Sequence, residues 1–262
     1  QHQIWRQAQP EDGSKMTAKV TEIWRHPIKS HGREKLDSVT VQAGGTLPFD
    51  RLWAVAHDRS KADGSEWVSC GHFCRVAKLP SLMAISAKFD ATSGHVTLSH
   101  PDADDLTFDP DTNSEEFIAW TKNLVPEDAL QPARLVKAHA QAFTDSDFPS
   151  ITLCNHASHR AVEQRVGQPL SHLRWRGNIW IDGLAPWEEF DWDDREIRIG
   201  ETIVRVRERT DRCKSTHSNP ETGKRDADVL SALASWGHQD FSVRAEVIHG
   251  GEIKAGDEVA RV

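Results

Sequence analysis

Cysteine is scarce in this chain. Cys70, Cys74, Cys154 and Cys213 are the four among 262 residues, too few for a disulfide scaffold at this length. A reducing compartment is the simpler expectation, and with it a cytoplasmic location. No apolar run approaches the roughly 20 residues of a membrane span. Residues 1–15 are polar and lack the apolar core of a secretory signal. They also lack a starting Met, and Met16 is followed at once by strand-like sequence, so 1–15 is expected to be a tag remnant or a loose extension. Positive charge is short as well. Lys and Arg number 32 against 40 Asp and Glu, a net charge of −8. That excludes wholesale nucleic-acid binding, and any anionic ligand requires a local basic pocket. Tyrosine is absent while tryptophan occurs ten times; composition gives no physical account of this. The chain has no G-x-G-x-x-G, G-x-x-x-x-G-K-[ST], G-x-S-x-G or H-E-x-x-H, which argues against dinucleotide, nucleotide, α/β-hydrolase and zincin chemistry.

What is present reads as a soluble globular protein, 37% hydrophobic and 27% charged, long enough for one large domain or two small ones. Lys19 to Trp24 alternates as a strand and is closed by His26-Pro27-Ile28-Lys29-Ser30, a loop fixed by its proline. Leu36 to Val41, Arg51 to Ala56, Trp67-Val68, Met83 to Phe89 and Val96 to Ser99 read as further short strands. That spacing suggests a small β-barrel or sandwich. Pro101 to Thr112, acidic and proline-containing, reads as a linker. Ser114 to Leu124 reads as a helix with Ser114 as its cap. Arg134 to Val136 and Ile151 to Leu153 read as strands. His156 to Val166 reads as a helix stopped by Gly167. Asn178 to Ile181 is a strand, Arg195 to Arg207 two strands about Gly200, and Asp226 the cap of a short helix. Strand returns from Val243 to Ile248. The fold class expected is α+β and β-rich, with domains at 17–110 and 111–262.

Three places carry candidate chemistry. Cys70, His72 and Cys74 put three zinc-type ligands in five residues, but a closed site needs a fourth, and no second pair lies at finger-like spacing. A loop with a buried Cys74 is the bland alternative. His156 and His159 share a helix face, with His172 nearby, a pattern ordinary solvated histidines also give. Cys213 directly follows Arg212, with Arg207, Arg209 and Lys214 close in sequence. Fixed cations favour the thiolate that a nucleophile or a soft-metal ligand requires. A half-buried structural thiol at a strand end fits the same spacing.

Six segments in order resemble the MOSC family, named for the C-terminal domain of molybdenum-cofactor sulfurase, together with the β-barrel domain that often precedes it. His26 to Ser30 is similar to Y-P-[IV]-K-S, and Asp50-Arg51-Leu52-Trp53 to G-D-R-x-W. Arg176-Gly177-Asn178 resembles R-P-N, and Asp182 to Glu189 resembles D-G-x-x-P-W-x-E. Arg212-Cys213 through Gly223 resembles R-C-x-x-T…P-x-T-G, and Gly256 to Val259 the closing G-D-x-V. They run from about residue 19 to the C-terminus. The resemblance implies an N-terminal small β-barrel-like domain packed on a C-terminal MOSC β-barrel with a few short helices.

It further implies a molybdenum–molybdopterin cofactor with Cys213 as metal ligand and catalytic centre. Lys29, Ser30, Arg51, Arg176 and Arg212 would line the cofactor pocket with the backbone around Ser146, Asp147 and Phe148, and Asn178 would orient its loop. The implied activity is that of an oxidoreductase similar to amidoxime-reducing proteins, acting on small N-oxygenated substrates (hydroxylamines, amidoximes, N-hydroxylated bases). Asp211 and His217 are candidate proton sources beside the solvent. No C-x4-C-x2-C cluster motif is present, so electrons are expected from a separate protein of ferredoxin, flavoprotein reductase or cytochrome b5 type. The alternative is a sulfur carrier with a persulfide on Cys213, or a non-catalytic cofactor-binding module. This sequence departs from the family pattern at Thr210, where many relatives have a second cysteine, at Gly177, where proline is usual, and at His217.

Overall fold

A computed structural model describes residues 17–262; the expectation for 1–15 lies outside them. The first part contains β1 (Lys19–Arg25), β2 (Glu34–Leu36), β3 (Ser38–Val41), β4 (Trp53–His57), β5 (Ser86–Phe89), β6 (Val96–His100) and β7 (Ala103–Phe108). Helix α1 (Ser114–Lys122) and β8 (Pro132–Lys137) follow, then β9 (Ile151–Asn155), α2 (His156–Val166) and β10 (Ile179–Asp182). The chain closes with β11 (Glu196–Ile199), β12 (Thr202–Asp211), α3 (Val229–Ala234), β13 (Asp240–His249), β14 (Gly251–Lys254) and β15 (Val259–Arg261). The architecture is α+β and β-rich, as expected. Among the described residues no helix is long and apolar enough to cross a membrane.

An eight-stranded sheet runs β15-β11-β12-β13-β9-β10-β1-β2. All its pairs are antiparallel except β9 with β10. β1 therefore belongs to the sheet of the second half, with Ile23 opposite Ile179, and β3 pairs with β14. The reason is hydrophobic. A bulge between Val20 and Glu22 lets Val20 and Ile23 both face inward, Val39 and Val41 alternate inward, and all four share a core with Ile151, Leu153, Ile181, Ile199, Val204 and Val247. Each such burial is worth about 1.5–3 kcal/mol. A second core joins Ile28, Val55, Leu82 and Leu98 to Phe108, Phe117 and Leu124, under the β5-β6-β7 meander and α1. A third packs α2 and α3 on the sheet through Cys154, Val162, Trp175, Leu233 and Phe241.

Helix α2 obeys its local signals. The Asn155 side chain accepts from the Ala157 amide at 2.8 Å, and Gly167 ends the helix at φ 83°. Elsewhere tertiary context overrode the sequence pattern. The expected linker contains β7, whose Asp104 and Asp105 face solvent while Leu106 and Phe108 face the core. Acidic residues are compatible with a strand that has one wet face. Trp67-Val68 is irregular rather than strand, its Trp67 indole donating to the Thr144 carbonyl at 3.0 Å. Leu36 to Val41 breaks at Asp37 into β2 and β3, which join different sheets. Asp228, not Asp226, caps α3; Asp226 instead accepts from Arg174. Ser114 is the first residue of α1, and no side chain caps that helix.

Candidate functional site

Two loops from the N-terminal half form one wall of a cavity. The Lys29 amide donates to Trp53 O at 2.8 Å, the Trp53 amide to Pro27 O at 3.2 Å and the Arg51 amide to His26 O at 2.6 Å. Buried Asp50 accepts from the His26 amide at 2.7 Å and from Arg51 Nη1 at 2.5 Å. Burial resists the charge on Asp50, but Arg51 outweighs it and holds the carboxyl well below the usual range. Burial, with Arg51 and Arg176 beyond it, pushes His26 down to about 3, so that ring is neutral. Buried Lys29 donates to Phe143 O at 2.8 Å and to Asp145 at 2.5 Å.

The opposite wall comes from the loop before β10 and from the ends of β12 and β13. Arg176 lies between buried Trp175 and Gly177. Its carbonyl accepts from Arg51 Nη2 at 2.8 Å, and its Nη2 donates to Gly32 O at 3.2 Å. Its Nη1 is buried with no partner among the described residues. Burial, with Arg51 and Arg33 beside it, pushes the guanidinium down to about 9. Ser30, Arg51 and Arg176 all take left-handed backbone, at φ 64°, 51° and 52°. Such conformations cost on the order of 1–3 kcal/mol each and cluster where a site holds side chains against their preference. The register between β12 and β13 shifts between Val206 and Glu208 and again between Arg209 and Asp211, bulges that re-aim side chains at a strand end.

Arg212 commits four of its five N–H groups to the framework. It donates to Trp175 O at 2.8 Å, to Phe241 O at 2.9 and 3.0 Å, and to Ser242 Oγ at 2.6 Å. Its guanidinium lies over the Trp175 and Phe241 rings, themselves stacked 3.7 Å apart. Trp175 is fixed from behind, its indole donating to His159 Nδ1 at 2.9 Å. Nε2 of that ring faces Leu170 O at 2.9 Å, which sets the tautomer with the proton on Nε2. Cys213 is exposed, its sulfur 3.2 Å from Ser215 Oγ.

The cavity brings together Lys29, Ser30, Arg51, Arg176, Arg212 and Cys213 from the sequence reading, along with Asn178. The Asn178 carboxamide bridges the Thr152 amide and Trp24 O, both at 3.1 Å. Arg75 and Arg244 raise the cationic side chains on the wall to six, against the single carboxylate of Asp145. Arg244 is neutralised by Glu208 at 2.6 Å and Asp211 at 3.3 Å. Lys29 is paired with Asp145 and Arg51 with Asp50, so the excess rests on Arg75, Arg176 and Arg212; in a chain of net charge −8 such a pocket suits an anion.

Two family models match the chain. The MOSC N-terminal beta barrel domain covers residues 17–146 and the MOSC domain residues 141–260. The chain belongs to the MOSC family. It is 33% identical to the molybdenum cofactor sulfurase of Drosophila grimshawi, over 80% of this chain and 29% of that protein, so it spans less than a third of that relative. It is 23% identical to mitochondrial amidoxime reducing component 2 of Bos taurus, over 97% of this chain and 87% of that one. The YUAD protein of Bacillus subtilis aligns over 93% of this chain and 94% of that one, at 13% identity and a TM-score of 0.45. The cavity draws on both MOSC matches. Lys29, Arg51, Cys70 and Arg75 come from the first, and Arg176, Arg212, Cys213 and Arg244 from the second.

Other residues singled out from the sequence lie elsewhere. Ser146, Asp147 and Phe148 do not line the cavity. The buried Ser146 hydroxyl contacts Phe148 O and Ser150 Oγ, both at 2.7 Å, and it is Ser150, with Thr144, Asp145 and Thr152, that reaches the wall. Asp211 pairs with Arg244 outside it. His217 accepts from the Leu230 amide at 3.3 Å and lines a separate surface depression with Lys214 and Arg225. Among the described residues no three His, Cys, Asp or Glu side chains gather to hold a metal. Cys74 packs in the second core, while Cys70 faces the cavity. His156, His159 and His172 do cluster, engaged with Thr21, Trp175 and Glu22. Sequence reading missed Cys70, Arg75 and Arg244 as wall residues; the one signal for Arg244 was an arginine between Val243 and Ala245 in an apolar strand.

The Gly177 departure has a steric cause. A Cβ at Gly177 would lie 2.1 Å from the Cys154 sulfur, and Cys154 is fully buried, its thiol pushed up to about 12 by that burial.

Proposed function

We propose that this MOSC protein binds a molybdenum–molybdopterin cofactor in the Cys213 cavity and reduces N-oxygenated compounds, with electrons from a separate protein of ferredoxin, flavoprotein reductase or cytochrome b5 type. The observation that carries the reading is an exposed thiol on the wall of a cavity with six cationic side chains. The donors fit the group. A thiolate is the right partner for a metal held by sulfur, and a pterin phosphate calls for guanidinium and ammonium donors. Arg176 keeps a buried N–H without an acceptor among the described residues, a group costly to leave unpaired unless a ligand meets it. When bound, the cofactor supplies oxygen-atom removal from nitrogen.

The chain's own residues would divide the labour. Cys213 holds the metal. Lys29, Ser30, Arg51 and Arg176 anchor the anionic end, the last three on backbone already held in left-handed geometry. Arg212 fixes the Trp175 wall, and the Ser146–Phe148 turn supports Ser150. The open mouth beside Cys213 admits small substrates and solvent protons. A second reading, persulfide carriage on Cys213, draws on the exposure of that thiol and on the sulfurase relative.

The test is molybdenum per chain in protein purified from a host that makes the cofactor. Stoichiometric metal in the parent, lost in Cys213→Ser at unchanged melting temperature, supports the first reading. A metal-free parent with cyanolysable sulfur on Cys213 overturns it in favour of the carrier.

A further inference from the structure

The four cysteines divide by environment. Cys74 and Cys154 are buried, and burial pushes both thiols up to about 12. Cys70 and Cys213 are not buried, and both line the same cavity. Cys70 sits in a short turn, Cys70–His72, and Arg75 Nη1 donates to its sulfur at 3.1 Å. A cation against a solvent-accessible sulfur is the setting in which thiols meet oxidants and other electrophiles.

The loop that follows Cys213 is fastened to the segment that follows Cys70. Val76 and Ala77 line the cavity beside Cys70. Arg225, on the loop that begins at Cys213, donates to Ala77 O at 2.8 Å. Gly223 on that loop touches the Ser81 backbone so closely that a Cβ would lie 2.9 Å from it. Arg33 donates to Pro220 O at 3.0 Å and to Met83 O at 2.7 Å, which staples the loop to the segment beneath.

We propose that Cys70 and Cys213 form a reversible disulfide across the cavity when a peroxide enters and no ligand occupies the Cys213 sulfur. One thiol attacks the peroxide, the O–O bond breaks, and a sulfenic acid and one water result. The second thiol attacks that sulfur, the S–S bond forms, and the hydroxyl leaves with a proton as a second water. Two thiols are oxidised by two electrons and one peroxide is reduced. The bridge spares Cys213 from sulfinic acid, from which return is blocked, and a dithiol reductant restores both thiols. The pair stands apart from the cofactor reading, because it concerns thiols alone.

The experiment uses the full chain made in a host without molybdopterin synthesis, treated with stoichiometric hydrogen peroxide, alkylated, digested and mapped by mass spectrometry. The expected product is the Cys70 peptide linked to the Cys213 peptide, with two of the four thiols lost from the denatured count and recovered by dithiothreitol. A bridge needs the Cα atoms within about 7 Å, so a short bis-methanethiosulfonate reagent should join the same two peptides in the untreated chain. Cys70→Ser should divert Cys213 to sulfinic acid. Cys213 over-oxidised or joined to a second chain while Cys70 stays free in the parent overturns the proposal, and that map needs no variant to fold.

Discussion

Gly177→Ala is a substitution whose cost comes almost entirely from one atom. Gly177 has ordinary backbone, so alanine meets no conformational penalty there. The new Cβ would lie 2.1 Å from Cys154 Sγ but 3.6 Å from Cys154 Cβ and 3.7 Å from Thr152 Cγ2. Sulfur alone is in the way, by more than an ångström, and Cys154 is fully buried. Overpacking of this kind costs about 1–3 kcal/mol, and the depth of the overlap places it near 3 kcal/mol. At about 2–4 °C per kcal/mol for a chain of this size, the melting temperature should fall by about 6–12 °C. Cys154→Ala alone deletes one buried heavy atom, a loss of about 1 kcal/mol. The double variant should melt with Cys154→Ala, because the alanine Cβ then takes the vacated space. The coupling energy from urea midpoints should therefore approach 3 kcal/mol, favourable, beyond the range of independent sites. Additive effects, or a Gly177→Ala chain that melts with the parent, would refute the steric account. Proline at this position meets the same sulfur, so relatives with Arg-Pro-Asn should carry a smaller side chain where this chain has Cys154.

Arg212 and Arg176 should part company. Arg212→Lys strands Phe241 O and Trp175 O and should lower stability by about 2–4 kcal/mol. Arg176→Met removes a buried charge with an unpartnered N–H and should leave the melting temperature unchanged or raised while lowering molybdenum content. Acid should destabilise the fold early. His26, His31 and His159 are pushed down to about 3, 4 and 3, each chiefly by burial. The unfolded chain therefore binds protons from about pH 6.5 that the folded chain refuses. Stability should fall as pH drops below 6.5, by up to about 1.4 kcal/mol per pH unit for each ring, and that loss should level off only below about pH 3. Urea midpoints across pH 4–7 check this, and a flat profile contradicts it. Asn155→Ala removes the α2 cap and a 2.7 Å donor to buried Glu189. It should cost about 2–4 kcal/mol by denaturant titration.

Local signals were legible where chemistry is local. The β11–β12 hairpin was readable from alternation on either side of Gly200, which does take φ 57°, and α2 from its periodicity and its glycine stop. β7 was misread because acidic residues on a wet strand face look like a linker. The pairing of β1 with β10 leaves no local mark, since its partners lie across the sequence. The same holds for the cavity. Lys29, Arg51 and Cys213 were reachable through resemblance to MOSC motifs, whereas Arg244, Arg75 and Cys70 reach the wall only through tertiary placement. Nothing in Ser146–Phe148 indicated that Ser150, not those residues, would face the cavity.

The strand order carries a consequence for synthesis. β1 leaves the ribosome about 160 residues before its neighbour β10. At roughly 5–20 residues per second, one edge of β1 waits on the order of 10–30 s with its amides and carbonyls unpaired and Val20 and Ile23 uncovered. An open edge of that kind invites pairing with other nascent chains. Production of this protein should therefore depend on translation speed and on holdase chaperones more steeply than its final stability suggests. A vector that encodes the second domain match alone would also leave β10 without its neighbour, and should yield inclusion bodies.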